Sequence, residues 1–204
     1  DIAKRYGLIV IEDAAHSLGA EYKGKKIGSL VDMTTFSFHP VKHITTGEGG
    51  MITTNDEKLY NKLKLFRTHG ITRDKEILHN KEEGPWFYEQ LELGYNYRMT
   101  DIQAALGISQ LNKINGFLKR RREIAKKYDE YLKNIDGIIL PYQESFSKSA
   151  RHLYVIQLEL EKFKVGRREI FEALQAENIG VNVHYIPVYY HPYYKRLGYE
   201  KGLC

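Results

Sequence analysis

Leu8-Ile9-Val10-Ile11-Glu12-Asp13-Ala14-Ala15 is an aliphatic run closed by two carboxylates and two small residues. Four consecutive aliphatic side chains suit a parallel strand buried on both faces, because alternation disappears when both faces are covered. Ahead of it, Asp1 to Tyr6 reads as the end of a helix stopped by Gly7. Met33 to Phe38, rich in Thr and Phe, reads as a second strand. Gly47-Glu48-Gly49-Gly50 is a tight turn, and Met51 to Thr54 a third strand. Asn55-Asp56 caps a helix with Leu59, Leu63 and Phe66 on one face, ending at Gly70. The order predicts part of an α/β sheet.

Residues 71–95 are irregular, polar and aromatic, and read as a long surface loop. Thr100 with Gln103 forms a capping-box signature. The helix it opens carries Ile102, Leu106, Ile114, Phe117, Leu118, Ile124, Ala125, Tyr128 and Leu132 at three- and four-residue spacings, with Gly107 and Gly116 as expected breaks or bends. Further on, Tyr154 to Leu160 alternates, Arg167 to Asn178 is amphipathic, Gly180 stops it, and Val181 to Tyr185 alternates again. That pattern predicts a small α+β unit. The expected division is a large α/β domain over 1–95, a connecting helix over 96–135, and a small α+β domain over 136–204.

The 204 residues carry a net charge of +5, with 42% hydrophobic and 28% charged residues, a balance that excludes disorder and fibrous repeats. The longest aliphatic run, four residues, is far too short to cross a bilayer. A single cysteine, Cys204, excludes an internal disulfide framework and a cysteine zinc cage. The basic run Lys119-Arg120-Arg121-Arg122 reads as a solvated helix face. No stacking or groove-reading motif accompanies it, so no nucleic-acid partner is expected.

Several residues stand where chemistry is found. Asp13 ends a buried parallel strand, at the edge where open α/β sheets bind ligands. It can face a cationic or N–H-bearing ligand, or simply cap a helix or pair with a cation. Lys42, just past the second strand in Ser37-Phe38-His39-Pro40-Val41-Lys42, can bind phosphate or form an imine, or be an ordinary surface lysine. Thr45-Thr46-Gly47 beyond it supplies hydroxyl and backbone donors. Asn96 and Arg98 can reach a phosphate or a neighbouring subunit, or merely stabilise their loop. His152, His184 and His191 lack HExxH spacing, so no metal site is expected. His184-Tyr185-Ile186-Pro187 can line a substrate cleft.

Taken in order, the stretches IEDAAHSLGAEYKGKKIGS, TTFSFHPVKHITTGEGGMITTND, FRTHG, LGYNYRMTDIQAALGISQL, HLY and VNVHYIPVY resemble the DegT/DnrJ/EryC1/StrS sugar aminotransferases. Within that family, LGYNYR, RHLYVIQL and VNVHYIPVYYHPYY are most similar to the transaminases of pseudaminic acid synthesis, with relatives in spore-coat and other surface-polysaccharide synthesis. The resemblance implies a fold type I, aspartate aminotransferase-like α/β architecture and pyridoxal phosphate as cofactor. It implies a cytoplasmic homodimer when complete, acting on an amino-acid donor such as glutamate and a keto-6-deoxy nucleotide sugar. The alternative is a non-catalytic binding module on the same fold.

By resemblance, Lys42 matches the lysine that forms the Schiff base, and Asp13 the partner of the pyridine nitrogen. His16 matches a residue near the cofactor ring, and Ser37 a phosphate ligand. Asn96 matches an asparagine reaching the phosphate held by the partner subunit. Asn182, Val183, His184 and Tyr185 match a segment lining the nucleotide-sugar site. Relatives with His in place of the lysine are dehydratases, so Lys42 favours transamination. The family has a long N-terminal segment with a phosphate-holding loop, and a C-terminal end, which the matching stretches do not include. Asp1 therefore reads as a cut inside a fold.

Overall fold

A computed structural model describes residues 1–203, so Cys204 lies outside the described residues. In chain order the elements are α1 (Ile2–Tyr6), β1 (Ile11–Asp13), β2 (Glu21–Tyr22), β3 (Lys25–Lys26), β4 (Met33–Ser37), β5 (Gly50–Thr53), α2 (Glu57–Arg67), β6 (Ile71–Thr72) and β7 (Glu89–Gln90). Then come α3 (Asp101–Leu111), α4 (Ile114–Leu132), β8 (Ile138–Ile139), β9 (Ser147–Lys148), β10 (Gln157–Leu158), α5 (Arg167–Ala176) and α6 (Pro192–Arg196). They form two compact units. The first holds residues 1–127 and 143–153, the second 128–142 and the chain from 154 onward.

In the first unit β4 is the central strand, parallel to β1 (Ile11 opposite Met33, Asp13 opposite Thr35) and antiparallel to β5. Its alternation buries Thr34 and Phe36, and Phe38 continues on the same side. Ala14, Phe36, Phe38 and Ile44 make the core, with Leu18, Ile27, Met99, Ile114 and Phe117 packed against it. Thr34 is wholly buried, and its hydroxyl is satisfied by the Glu12 carboxylate at 3.2 Å. Gly7 ends α1 in the left-handed conformation, φ 62°.

The opening run departs from its expected environment. The strand is Ile11–Asp13, so the carboxylates lie within it, and Leu8, Ile9 and Ile11 are about 60% exposed. Among the described residues only β4 pairs with β1, so nothing beyond that edge removes these side chains from water.

Thr100 and Gln103 make both halves of the capping box at the start of α3. The helical stretch breaks at Asn112-Lys113 rather than at its glycines. Gly107 lies inside α3, where a Cβ would lie 2.9 Å from the Thr46 methyl group, so glycine lets the helix approach that turn. The 71–95 loop is pinned by the short β6–β7 pair and by Glu89, which accepts the N–H groups of His79 and Asn80.

The second unit holds the end of α4, the antiparallel pair β8–β10, α5, a 3-10 turn at Val188–Tyr190 and α6. Lys162 bridges Asp136 and Glu159, both at 2.9 Å. The Tyr154 hydroxyl donates to Asp129 at 2.7 Å. Of the alternating stretch 154–160 only Gln157–Leu158 is strand, and 181–185 forms none. Alternation specifies a face, but a strand also needs a backbone partner. None pairs with 181–185 among the described residues, and the Val183 N–H is taken by the Asn182 side chain at 2.8 Å. No helix among the described residues is long and apolar enough to cross a membrane.

Candidate active site

The parallel pair β1–β4 brings two of the expected residues to one edge. The Ala14 N–H donates to the Thr35 carbonyl at 2.9 Å, carrying the pairing to the end of β1. There Asp13, exposed, accepts the Ala15 N–H on Oδ1 at 3.0 Å, which turns the chain off the sheet. Thr35 is level with Asp13, so Ser37 lies two residues, about 7 Å, further along the neighbouring strand. Its hydroxyl accepts the His39 N–H at 3.3 Å.

Lys42 follows in a tight turn. Its N–H donates to the His39 carbonyl at 2.9 Å, and Phe38 is held to Gly49 at 2.8 Å and to Thr46 at 3.1 Å. Thr45 Oγ1 donates to the Phe38 carbonyl and accepts the Gly47 N–H, both at 2.9 Å. Lys42 itself is half-buried, while the next two residues, His43 and Ile44, are buried. The turn is thus anchored by its apolar and backbone contacts, leaving the amine without a packing duty.

Three imidazoles lie beside it. The rings of His16 and His152 are 4.2 Å apart, and those of His43 and His152 5.3 Å. Burial pushes His43 down to about 4. Its charged form is further disfavoured by Arg121, favoured by the Ala150 backbone, and disfavoured to a lesser degree by His16 and Lys42. His152 is pushed down to about 4 by burial first, then by His16, His43, Lys42 and Arg121. His43 Nδ1 and Nε2 and His152 Nδ1 are buried with no hydrogen-bond partner among the described residues.

The sign of the resulting pH dependence follows. An ordinary histidine in the unfolded chain takes up a proton near 6.5, whereas these resist until about 4. The unfolded state then binds more protons below 6.5, so stability is full above that pH and falls toward 4. For His43, about 96% buried, the loss is expected to approach ~1 kcal/mol per pH unit across that window. Urea unfolding at successive pH values checks it: His43→Phe should flatten the slope, and an unchanged slope contradicts the assignment.

Half of the basic run on α4 turns inward, correcting its reading as a solvated face. Arg121 donates to the Arg151 and His152 carbonyls, both at 3.4 Å. Arg122 donates to the Ser149 carbonyl at 3.1 Å and to that of Gly19 at 3.2 Å. These two arginines and His43 are the functional candidates that sequence reasoning missed, and their partners are too distant in the chain for any local signal. Arg122→Met keeps the stem but strands two carbonyls. It is expected to lower stability by about 2 kcal/mol in denaturant unfolding, as for a lost charge-assisted bond.

Asn96 is exposed and bridges to Thr68, in a segment whose Tyr95 and Tyr97 N–H groups donate to the Phe66 and Arg67 carbonyls at the end of α2. Asn182, Val183, His184 and Tyr185 lie in the second unit, where the His184 and Tyr185 rings are 4.0 Å apart. No group of three or more His, Cys, Asp or Glu among the described residues is placed to hold a metal ion.

The profile of the DegT/DnrJ/EryC1/StrS aminotransferase family matches residues 1–204. The chain belongs to this family. It is 45% identical over 198 residues to a UDP-4-amino-4,6-dideoxy-N-acetyl-beta-L-altrosamine transaminase of Campylobacter jejuni, covering 97% of this chain and 50% of that one. It is 44% identical over 203 residues to the spore coat polysaccharide biosynthesis protein SpsC of Bacillus subtilis, covering 98% and 52%. Its fold matches Helicobacter pylori PseC, an aminotransferase involved in the biosynthesis of pseudoaminic acid, with a TM-score of 0.84 at 36% identity over 96% of this chain and 50% of that one. The chain spans about half the length of the curated relatives it matches. The mixed α/β architecture is that of fold type I, and the family depends on pyridoxal phosphate.

The residues present fit that cofactor. It needs a carboxylate for its ring nitrogen, an amine for its aldehyde, and donors for its phosphate. Asp13 and Ser37 end adjacent parallel strands, and Lys42 with the Thr45–Gly47 turn follows directly.

Proposed function

We propose that the full-length protein transfers an amino group, with glutamate as donor, to a keto carbon of a UDP-linked 6-deoxy sugar in surface-polysaccharide biosynthesis. What carries this reading is the half-buried Lys42 in a turn held by its neighbours, following the strand beside Asp13. When bound, pyridoxal phosphate supplies an electrophilic aldehyde and an electron-withdrawing ring.

The chain's own residues do the rest. The Asp13 carboxylate holds the proton on the ring nitrogen, while its Oδ1 bond to Ala15 keeps it oriented. Ser37 and the Thr45–Gly47 turn bind the phosphate with hydroxyl and backbone donors. Lys42 Nζ would hold the cofactor through its aldehyde carbon and, as a neutral amine, would carry the proton to and from the reacting carbon. His16 would stand near the cofactor ring. Asn182, Val183, His184 and Tyr185 bind the nucleotide sugar. Asn96 serves the phosphate of the partner subunit in a cytoplasmic homodimer.

The experiment is an amino-transfer assay on full-length protein loaded with pyridoxal phosphate. Formation of 2-oxoglutarate from glutamate beyond one equivalent per bound cofactor is expected only when a UDP-linked keto-6-deoxy sugar is supplied. Absence of turnover with every keto nucleotide sugar, in protein that binds the cofactor, would overturn the assignment and leave a binding module.

A further inference from the structure

We infer that His152 is a positioning residue, an uncharged aromatic plate that sets the ring plane of His16 and is itself held by Arg121 and backed by His43. The inference deepens the proposed site and rests on that reading only for its catalytic consequence.

The geometry comes first. The His152 ring lies 4.2 Å from His16 and 5.3 Å from His43, with interplanar angles of 57° and 53°. Such distances and tilts are those of packed rings held by van der Waals contact. The main chain of His152 is fixed from α4, because the Arg121 guanidinium grips the carbonyls of residues 151 and 152. Arg122 holds Ser149 in the same segment and also Gly19, three residues beyond His16. One turn of one helix thus sets both sides of the contact.

The chemistry of the rings argues against a charged role. Both rings are enclosed, His43 fully and His152 in part, so burial disfavours a charge on either. The cationic groups around them are Lys42 and Arg121, and both resist a further positive charge. A neutral plate adds no charge beside Lys42. A protonated one would add a cation where Lys42 must act as a neutral base.

The test uses full-length protein and three variants. In cofactor-free protein, the His16 imidazole proton signals should be displaced by the ring current of His152. That displacement should vanish in His152→Ala and persist in His152→Phe. In loaded protein, His152→Ala should lower affinity for pyridoxal phosphate and kcat by about tenfold each with KM for glutamate unchanged, whereas His152→Phe stays within about threefold. Arg121→Met should reproduce a milder form of the alanine result. An unchanged His16 signal in His152→Ala overturns the inference, as does a His152→Phe variant as impaired as the alanine one. The NMR readout needs no cofactor, so its failure is distinct from failure of the transaminase reading, which would show as full ring-current coupling with no cofactor binding.

Discussion

Replacing Lys42 with alanine is expected to lower kcat for amino transfer by about 10⁴ while leaving stability within about 0.5 kcal/mol of the parent. The two halves of that expectation have separate grounds. The turn is held by the His39 carbonyl, the Phe38–Gly49 and Phe38–Thr46 bonds, and the buried His43 and Ile44, none of which involves the lysine side chain. Losing the amine removes the nucleophile and the proton carrier together, so two steps fail at one position. Lys42→Arg is the informative control. It keeps a cation and a long stem, yet guanidinium does not deprotonate near neutral pH. It should be as inactive as alanine, and a steady-state assay beside thermal unfolding separates chemistry from folding. An arginine variant with substantial activity would mean the position supplies charge alone.

Asp13→Asn should cost about 10²- to 10³-fold in kcat, the scale of removing one preorganised electrostatic partner. Asparagine keeps an acceptor for the Ala15 N–H and so keeps the turn that leaves β1. What it loses is the negative charge that, on the proposed reading, would hold a proton on the ring nitrogen. Asp13→Leu loses turn and charge alike, and should add a stability loss that the asparagine variant does not show. If Asn and Leu were equally active but only Leu unstable, Asp13 would be a structural cap and nothing more. Steady-state kinetics with denaturant unfolding of both variants decides between these.

Much of this was legible because it is local. Gly7, the Asp56 cap and the Thr100–Gln103 box each join residues no more than four apart, so their spacing carried the geometry. β4 was legible because its alternation coincides with a core on one side. The Leu8–Ile11 run misled because hydrophobicity states what a strand would cover, not whether a neighbour is there to cover it. Residues 181–185 misled in the same way. The site divides along the same line. Asp13 ends β1 and Lys42 follows β4 in the turn beyond it, positions that the strand patterns give directly. Arg122 meets Gly19 across 103 positions, and His43 meets His152 across more than a hundred. No periodicity reports contacts at that range, and a basic run looks the same from the sequence whether its guanidinium groups face water or carbonyls.

The central claim is that Lys42 carries the cofactor. Full-length protein loaded with pyridoxal phosphate, reduced with sodium borohydride and digested, should yield one pyridoxyl label, on the peptide containing Lys42. A label on any other lysine, or bound cofactor that borohydride does not fix, would contradict it.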